Sequence, residues 1–300
     1  MAAKFDPYTH VTDSILAELE NGTAPWRKPW TGAGPGFALP ERWNGETYRG
    51  INILLLWSQA TRCGYRAARW MTYRQAQELG AQVRKGEKSA TVVKYGTVER
   101  ATEDGEDRRT IPYLRAYRVF NAEQIDGLAA GFDSTAEAPR DLGTEADPAL
   151  EAVFAATGAR IETSPEPRAY YDRAADRIHM PPIATFHAAA GYYGTLAHEV
   201  AHWTGAAHRL DRFGRFTTRD AYAFEELIAE IASAFIGARL GVAPDFAQNA
   251  AYLASWLDAL RADKRAIFRA ASEAQKAADF IFALPGVAAP DAAEDAARAA

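Results

Sequence analysis

Apolar residues recur at helical spacing over residues 9–20, where Val11, Ile15, Leu16 and Leu19 fall on one face and Gly22 follows as a stop. The same reading predicts a helix over 51–61 before Gly64 and a short one over 73–79 before Gly80. The period then changes from 3.6 to 2. Residues 90–98 and 111–120 alternate, and a charged stretch over 99–109 with Gly105 at its tip joins them, which predicts a hairpin. Between Pro25 and Pro40, prolines and glycines exclude regular structure.

Residues 126–147 are rich in Ala, Gly and acidic residues and poor in large apolar ones, the composition of a linker. Beyond them the pattern predicts a helix over 148–157, short strands over 160–163, 169–172 and 177–180, and then helices over about 190–204, 219–240, 245–261 and 263–283. The expected fold class is α+β. An N-terminal mixed α/β domain over 1–125 and a linker over 126–145 precede a mostly helical C-terminal domain with a small sheet over 146–285. A flexible tail over 286–300 ends the chain.

Composition narrows this picture. No run approaches the roughly 18 consecutive apolar residues of a membrane span, and the N-terminus lacks a signal-like apolar core. The one cysteine, Cys63, lies in an apolar run and reads as a buried structural thiol. A cytoplasmic protein with no membrane partner is expected. The net charge of −5 hides an asymmetry: residues 1–125 carry 18 Lys and Arg against 14 Asp and Glu, the remainder 16 against 25. The basic half suits a polyanion, although a solvated basic face gives the same balance.

The strongest chemical signal is His198-Glu199-Val200-Ala201-His202. On a helix, two histidines four apart share a face and can reach one ion, while the intervening Glu can take a proton from water that the ion acidifies. Zinc is the expected metal, with manganese as the alternative. A third ligand is required, and the spacing leaves three candidates: Glu226, Glu230 and His208. Glu226 and Glu230 lie four apart on the next helix, so one can bind the metal while the other supports a histidine; Glu225 is expected to point elsewhere. His208 completes the string H-E-x-x-H-x-x-G-x-x-H, with Gly205 as the turn. Against that option, the methionines at 1, 71 and 180 all precede the motif and leave no methionine turn after it. Tyr192 and Tyr193 could serve an oxyanion or simply pack. Glu199 is the candidate catalytic base of a zinc-dependent metallopeptidase-like domain.

Five of the seven tryptophans lie between Trp26 and Trp70, interleaved with cations. Rings that stack on bases beside cations that meet phosphates suit single-stranded nucleic acid. The candidate contacts are Trp26, Arg27, Lys28, Trp30, Tyr48, Arg49, Trp70, Arg84, Lys85 and Lys88. A loop-rich domain that uses its tryptophans as core is the competing account.

These residues resemble a known family. Residues 169–212, with Asp176-Arg177-Ile178-His179-Met180-Pro181-Pro182, Tyr192-Tyr193, His198-Glu199, His202-Trp203-Thr204-Gly205 and Arg209-Leu210-Asp211-Arg212, resemble the zincin domain of ArdC-type antirestriction proteins. Trp26 with Trp30, Asn44, Tyr48-Arg49-Gly50-Ile51-Asn52, Trp70-Met71-Thr72 and Val83-Arg84-Lys85-Gly86-Glu87-Lys88 resemble that family's N-terminal domain, and Glu225-Glu226-Leu227-Ile228-Ala229-Glu230 also fits. The resemblance implies a single-stranded-DNA-binding N-terminal domain, with Asn52 joining the candidate contacts. It also implies a zincin-like peptidase domain that resembles proteases of DNA–protein crosslinks, and a role in protecting incoming plasmid DNA from host restriction during conjugation. Single-stranded DNA, DNA-bound protein substrates and restriction enzymes are the implied partners. The competing reading is a non-catalytic protein that coats single-stranded DNA and holds a structural metal.

Overall fold

The computed structural model describes residues 6–26, 38–101, 108–133, 139–215, 219–242 and 250–288. The chain opens with α1 (Pro7–Glu20), which starts where the Asp6 carboxylate accepts hydrogen bonds from the amides of Tyr8 and Thr9 and proline fills the first turn. A two-residue strand β1 (Glu41–Arg42) leads to α2 (Ile51–Cys63), which Gly64 ends in the left-handed region at φ 73°. Then come β2 (Arg69–Met71), α3 (Tyr73–Glu78) with a Thr72/Gln75 capping box, and β3 (Gln82–Val83). The long strands β4 (Ala90–Ala101) and β5 (Arg108–Asn121) form the predicted hairpin, with Ala90 opposite Val119 and Ala101 opposite Arg108. They reach further than the sequence suggests, because cross-strand pairing extends the alternation into charged residues. With β6 (Ile125–Asp126), the strands make one sheet in the order β1-β2-β5-β4 and a separate β3-β6 pair.

In the second half α4 (Pro148–Ala156) begins at an Asp147 cap. The strands β7 (Arg160–Thr163), β8 (Tyr170–Asp172) and β9 (Arg177–Met180) form a small sheet with β9 in the middle, parallel to β7 and antiparallel to β8. Asp176, at φ 49°, turns the chain from β8 into β9, a conformation that Asp tolerates better than most residues. Four helices follow: α5 (Ala189–Trp203), α6 (Arg219–Leu240), α7 (Ala250–Ala262) and α8 (Ala266–Phe282). Along α8, Ala270, Ala271, Ala274, Ala277 and Ala278 are fully buried. Small residues along one face let α6 lie close against it. No helix among the described residues is long and apolar enough to cross a membrane.

One continuous apolar core runs through both halves. The Trp57 ring of α2 lies 5.9 Å from Phe235 of α6. The Gly50 amide donates to Gln275 Oε1 on α8 (2.9 Å), and Thr12 Oγ1 donates to the Lys264 carbonyl (2.7 Å).

Three sequence expectations change here. Cys63 is exposed, not buried, because the end of α2 projects from the core. Trp26 is fully buried, edge-on to Trp256 at 6.0 Å, and Trp70 is 1% exposed against Tyr65. Neither ring offers a free face for a base. These tryptophans provide large apolar area at points where short segments have little else to bury.

Trp26→Ala therefore lowers the stability of the whole chain by about 3–5 kcal/mol, read as a drop in the urea midpoint. Trp26→Phe costs much less, because the buried indole N–H has no hydrogen-bond partner among the described residues.

Candidate metal centre

Helix α5 carries the motif, and its Ala197 and Ala201 allow α6 to approach closely. His198 and His202 stand one turn apart with their Nε2 atoms 3.1 Å from each other. From α6, Glu226 places Oε1 3.3 Å from His202 Nε2 and Oε2 3.5 Å from His198 Nε2. Ligands about 2.0–2.1 Å from a tetrahedral ion lie about 3.4 Å from one another. The three donors already hold that spacing, and His198, His202 and Glu226 are the group of potential ligands found among the described residues. Two imidazoles and one carboxylate form a donor set for a divalent cation.

The support behind His202 is a buried charge network. His202 Nδ1 lies 3.1 Å from Glu225 Oε1, which leaves Nε2 directed at the other ligands. The Glu225 carboxylate accepts two hydrogen bonds from Arg212, Nε to Oε2 and Nη2 to Oε1, both at 2.7 Å. Arg212 is fully buried and also donates to the Ala201 carbonyl (2.8 Å) and Thr204 Oγ1 (3.1 Å) at the end of α5. Gly205 makes this possible: a Cβ there would meet the Phe213 ring at 2.8 Å and Arg212 Nη2 at 3.0 Å.

Burial alone pulls the His202 imidazolium down, but the hydrogen bonds to Glu225 and then Glu226 outweigh it and push His202 up to about 10. Burial likewise raises Glu226, and the two histidines overcome it and hold its carboxyl well below the usual range.

These contacts settle where the sequence candidates lie. Glu226 joins the histidines. Glu230 is buried one turn further along α6, outside the group. His208 also lies outside: its exposed ring sits 3.3 Å from Asp176 Oδ2. Gly205 serves the close approach of Arg212 and Phe213. Glu225 does not point elsewhere; it is the partner of His202. Arg212 was missed as well. In the sequence it is one of three arginines that follow the motif, at 209, 212 and 215, and nothing in their spacing singles it out as the partner of Glu225.

Beside the ligands lies a cleft of about 290 Å³, lined by Glu199, Tyr170, Tyr171, Arg173 and Tyr222 together with the three donors. Strand β8 forms one wall at the edge of its sheet. The wall is held from behind. His179 Nδ1 meets the Arg168 carbonyl at 2.7 Å, its Nε2 meets Ser164 Oγ at 2.7 Å, and its ring stacks on Tyr170 at 5.0 Å. Arg209 clasps the β8–β9 turn to α5. It donates to Asp176 Oδ2 (3.1 Å), Tyr171 Oη (3.1 Å) and the Trp203 carbonyl (2.6 Å), and its guanidinium covers the Trp203 ring at 4.0 Å. The Arg209 hydrogen bond holds the Asp176 carboxyl down at about 2. Tyr192 and Tyr193 pack: Tyr193 is 1% exposed and donates to Glu151 Oε1 (2.8 Å).

The basic aromatic candidates scatter. Arg27, Lys28 and Trp30 lie outside the described residues. Asn52 clamps the Val93 backbone, donating to its carbonyl (2.9 Å) and accepting from its amide (2.8 Å). Tyr48 is buried beneath Arg42, and Arg49 pairs with Asp279. Arg84 donates to Glu87 (2.8 Å) and to the Glu123 carbonyl (2.6 Å). Lys85 and Lys88 are exposed.

Ligating histidines must be neutral. At neutral pH the proton on His202 of the metal-free chain must leave as an ion binds. Metal affinity therefore rises with pH through the neutral range, and calorimetry in buffers of different ionisation enthalpy detects released protons. Glu225→Gln, which removes the charge behind His202, weakens metal binding by about 10- to 100-fold.

Known proteins resemble the chain along both halves. Residues 5–120 match the family model for the N-terminal domain of anti-restriction factor ArdC, and residues 148–273 match that of a zincin-like metallopeptidase. The crystal structure of antirestriction ArdC protein from the R388 plasmid, metal-free, is 61% identical with a TM-score of 0.85, over 92% of this chain and 97% of that one. The Mn(II)-bound structure is 60% identical with a TM-score of 0.80, over 95% and 99%. An uncharacterized protein, y4eC of Sinorhizobium fredii, is 42% identical over 93% of this chain and 92% of its own length. DNA primase TraC of Escherichia coli is 39% identical over 92% of this chain, which spans only 27% of that protein. With both family models matched in order and full-length likeness at this identity, the chain belongs to the ArdC-type family of antirestriction proteins.

Proposed function

We propose that the chain is an antirestriction protein that binds single-stranded DNA through residues 1–125 and carries a divalent-metal-dependent peptidase in residues 146–285, joined by 126–145. The observation that carries the peptidase half is the tetrahedral spacing of His198, His202 and Glu226 on the floor of an open cleft that also holds Glu199. Zinc suits two imidazoles and a carboxylate, and manganese is the alternative, since a relative holds Mn(II). The cation would polarise a peptide carbonyl and acidify a water molecule beside it. Glu199 accepts the proton of that water and delivers it to the leaving amine. The open edge of β8 takes an extended peptide by strand addition, which aligns the scissile bond along the cleft. Tyr222 and Arg173, at its mouth, place donors near the carbonyl oxygen.

The match of the first half to the N-terminal domain of an anti-restriction factor supports single-stranded DNA binding there, and the likeness to an antirestriction protein of a plasmid supports incoming plasmid DNA in the recipient cytoplasm as the setting. DNA-bound proteins, restriction enzymes among them, are the proposed substrates. Tethering raises their effective concentration at the cleft.

Glu199→Gln tests the division of labour. It lowers metal-dependent cleavage of a DNA-bound protein by about 100-fold or more while affinity for a single-stranded oligonucleotide stays unchanged. Cleavage by the variant at the wild-type rate would remove Glu199 from the chemistry. Protection of DNA by a wild-type protein that cleaves nothing would favour the coating role with a structural metal.

A further inference from the structure

The outward face of the β4–β5 hairpin takes no part in the metal centre. The register opposes Val92 to Tyr117, Lys94 to Arg115, Gly96 to Tyr113 and Val98 to Ile111. Directly opposed residues project from the same side of a sheet, and alternate pairs share that side. On the other side Val93 is buried, Leu114 lies against the core, and the half-exposed Tyr95 packs edge-on against Phe268 (6.2 Å).

On the outward side Val92 is buried and Tyr117 is half-buried against the core, while beyond them Lys94 and Arg115 are exposed, and Tyr113, Val98 and Ile111 are 41%, 45% and 37% exposed. The Arg115 guanidinium sits 5.4 Å from the Tyr117 ring centroid. Tyr113 lies across the backbone of Gly96, where a Cβ would overlap its ring. Glycine weakens a strand interior, and here it lets an aromatic ring lie flat on the sheet with its other face outward. Along β5, Tyr117, Arg115 and Tyr113 therefore repeat every second residue, at steps of about 7 Å. No carboxylate stands among these four opposed pairs, although the whole chain is acidic.

We propose that this hairpin face is the single-strand contact surface, with Tyr113 stacking on a base and Lys94 and Arg115 meeting the adjoining phosphates. The inference rests on the nucleic-acid half of the proposed function and gives it a location outside the tryptophan-rich segment. Aromatic rings flanked by cations on an open sheet suit unpaired bases, whose faces are free, and stacking tolerates any sequence. A duplex keeps its bases stacked internally and offers Tyr113 nothing comparable.

The test is fluorescence anisotropy of a labelled oligothymidylate with the full chain at several salt concentrations. Tyr113→Ala weakens binding about tenfold or more, and Tyr113→Phe, which keeps the ring, restores it. Arg115→Ala and Lys94→Ala each reduce the slope of log affinity against log salt by about one. Gly96→Val, which displaces the ring without deleting it, weakens binding as Tyr113→Ala does. A wild-type chain that binds while every one of these variants stays within about twofold of it would overturn the location and leave the DNA-binding reading standing. A wild-type chain that binds no oligonucleotide at low salt would overturn both. Binding of a protein partner in place of the oligonucleotide, lost in the same variants, would assign the face to protein recognition and contradict the proposal.

Discussion

The carboxylate of Glu225 lies between Arg212 and His202 and ties together three stretches of chain: the end of α5, the turn that follows it, and α6. A buried carboxylate is costly without partners, and an unpaired buried guanidinium is equally so. Each satisfies the other, and the pair directs the imidazole of His202 toward the ion site. The adjacent residue of the same helix, Glu226, then falls beside both histidines. The metal centre is thus a consequence of how α6 is locked onto α5. Gly205 belongs to the same constraint, because only a residue without a Cβ lets Arg212 and Phe213 fold back beneath the helix end.

Much of the chain was legible in the sequence because local patterns agreed with the tertiary structure. The bounds of α6 fall where the apolar period places them, and Gly64 ends α2 by cap chemistry. The short strands β1, β2, β3 and β6 escaped, since two or three residues carry no period. At the metal site, helical spacing singles out the histidine pair but leaves Glu226, Glu230 and His208 open as the third donor, and only the packing of α6 on α5 brings Glu226 beside the pair. Glu225 could not be named, because its role depends on Arg212, which a long-range turn delivers. The tryptophans misled for a related reason. Interleaved rings and cations look alike whether the rings face solvent or core, and only the packing of Trp26 on Trp256 and Trp70 on Tyr65 distinguishes them.

The two halves are not beads on a flexible string. Trp57 meets Phe235, the Gly50 amide meets Gln275, and the buried cluster runs from α1 through α8. Under the proposed function, a nucleic acid held by the first half and a peptide in the cleft would lie on halves that share one core, which favours targets already bound to the same DNA. Acidic residues concentrate in the second half, and repulsion from phosphate there biases how a strand can lie across the molecule.

The most direct test of the account is X-ray absorption spectroscopy of the zinc-loaded wild-type chain alongside Glu226→Ala and His208→Ala. The account predicts two imidazole nitrogens, one carboxylate oxygen and one exchangeable light atom at about 2.0–2.1 Å, with a shell that changes in Glu226→Ala and is unaltered in His208→Ala. A third imidazole that disappears in His208→Ala, or a closed shell of four protein ligands, would contradict it.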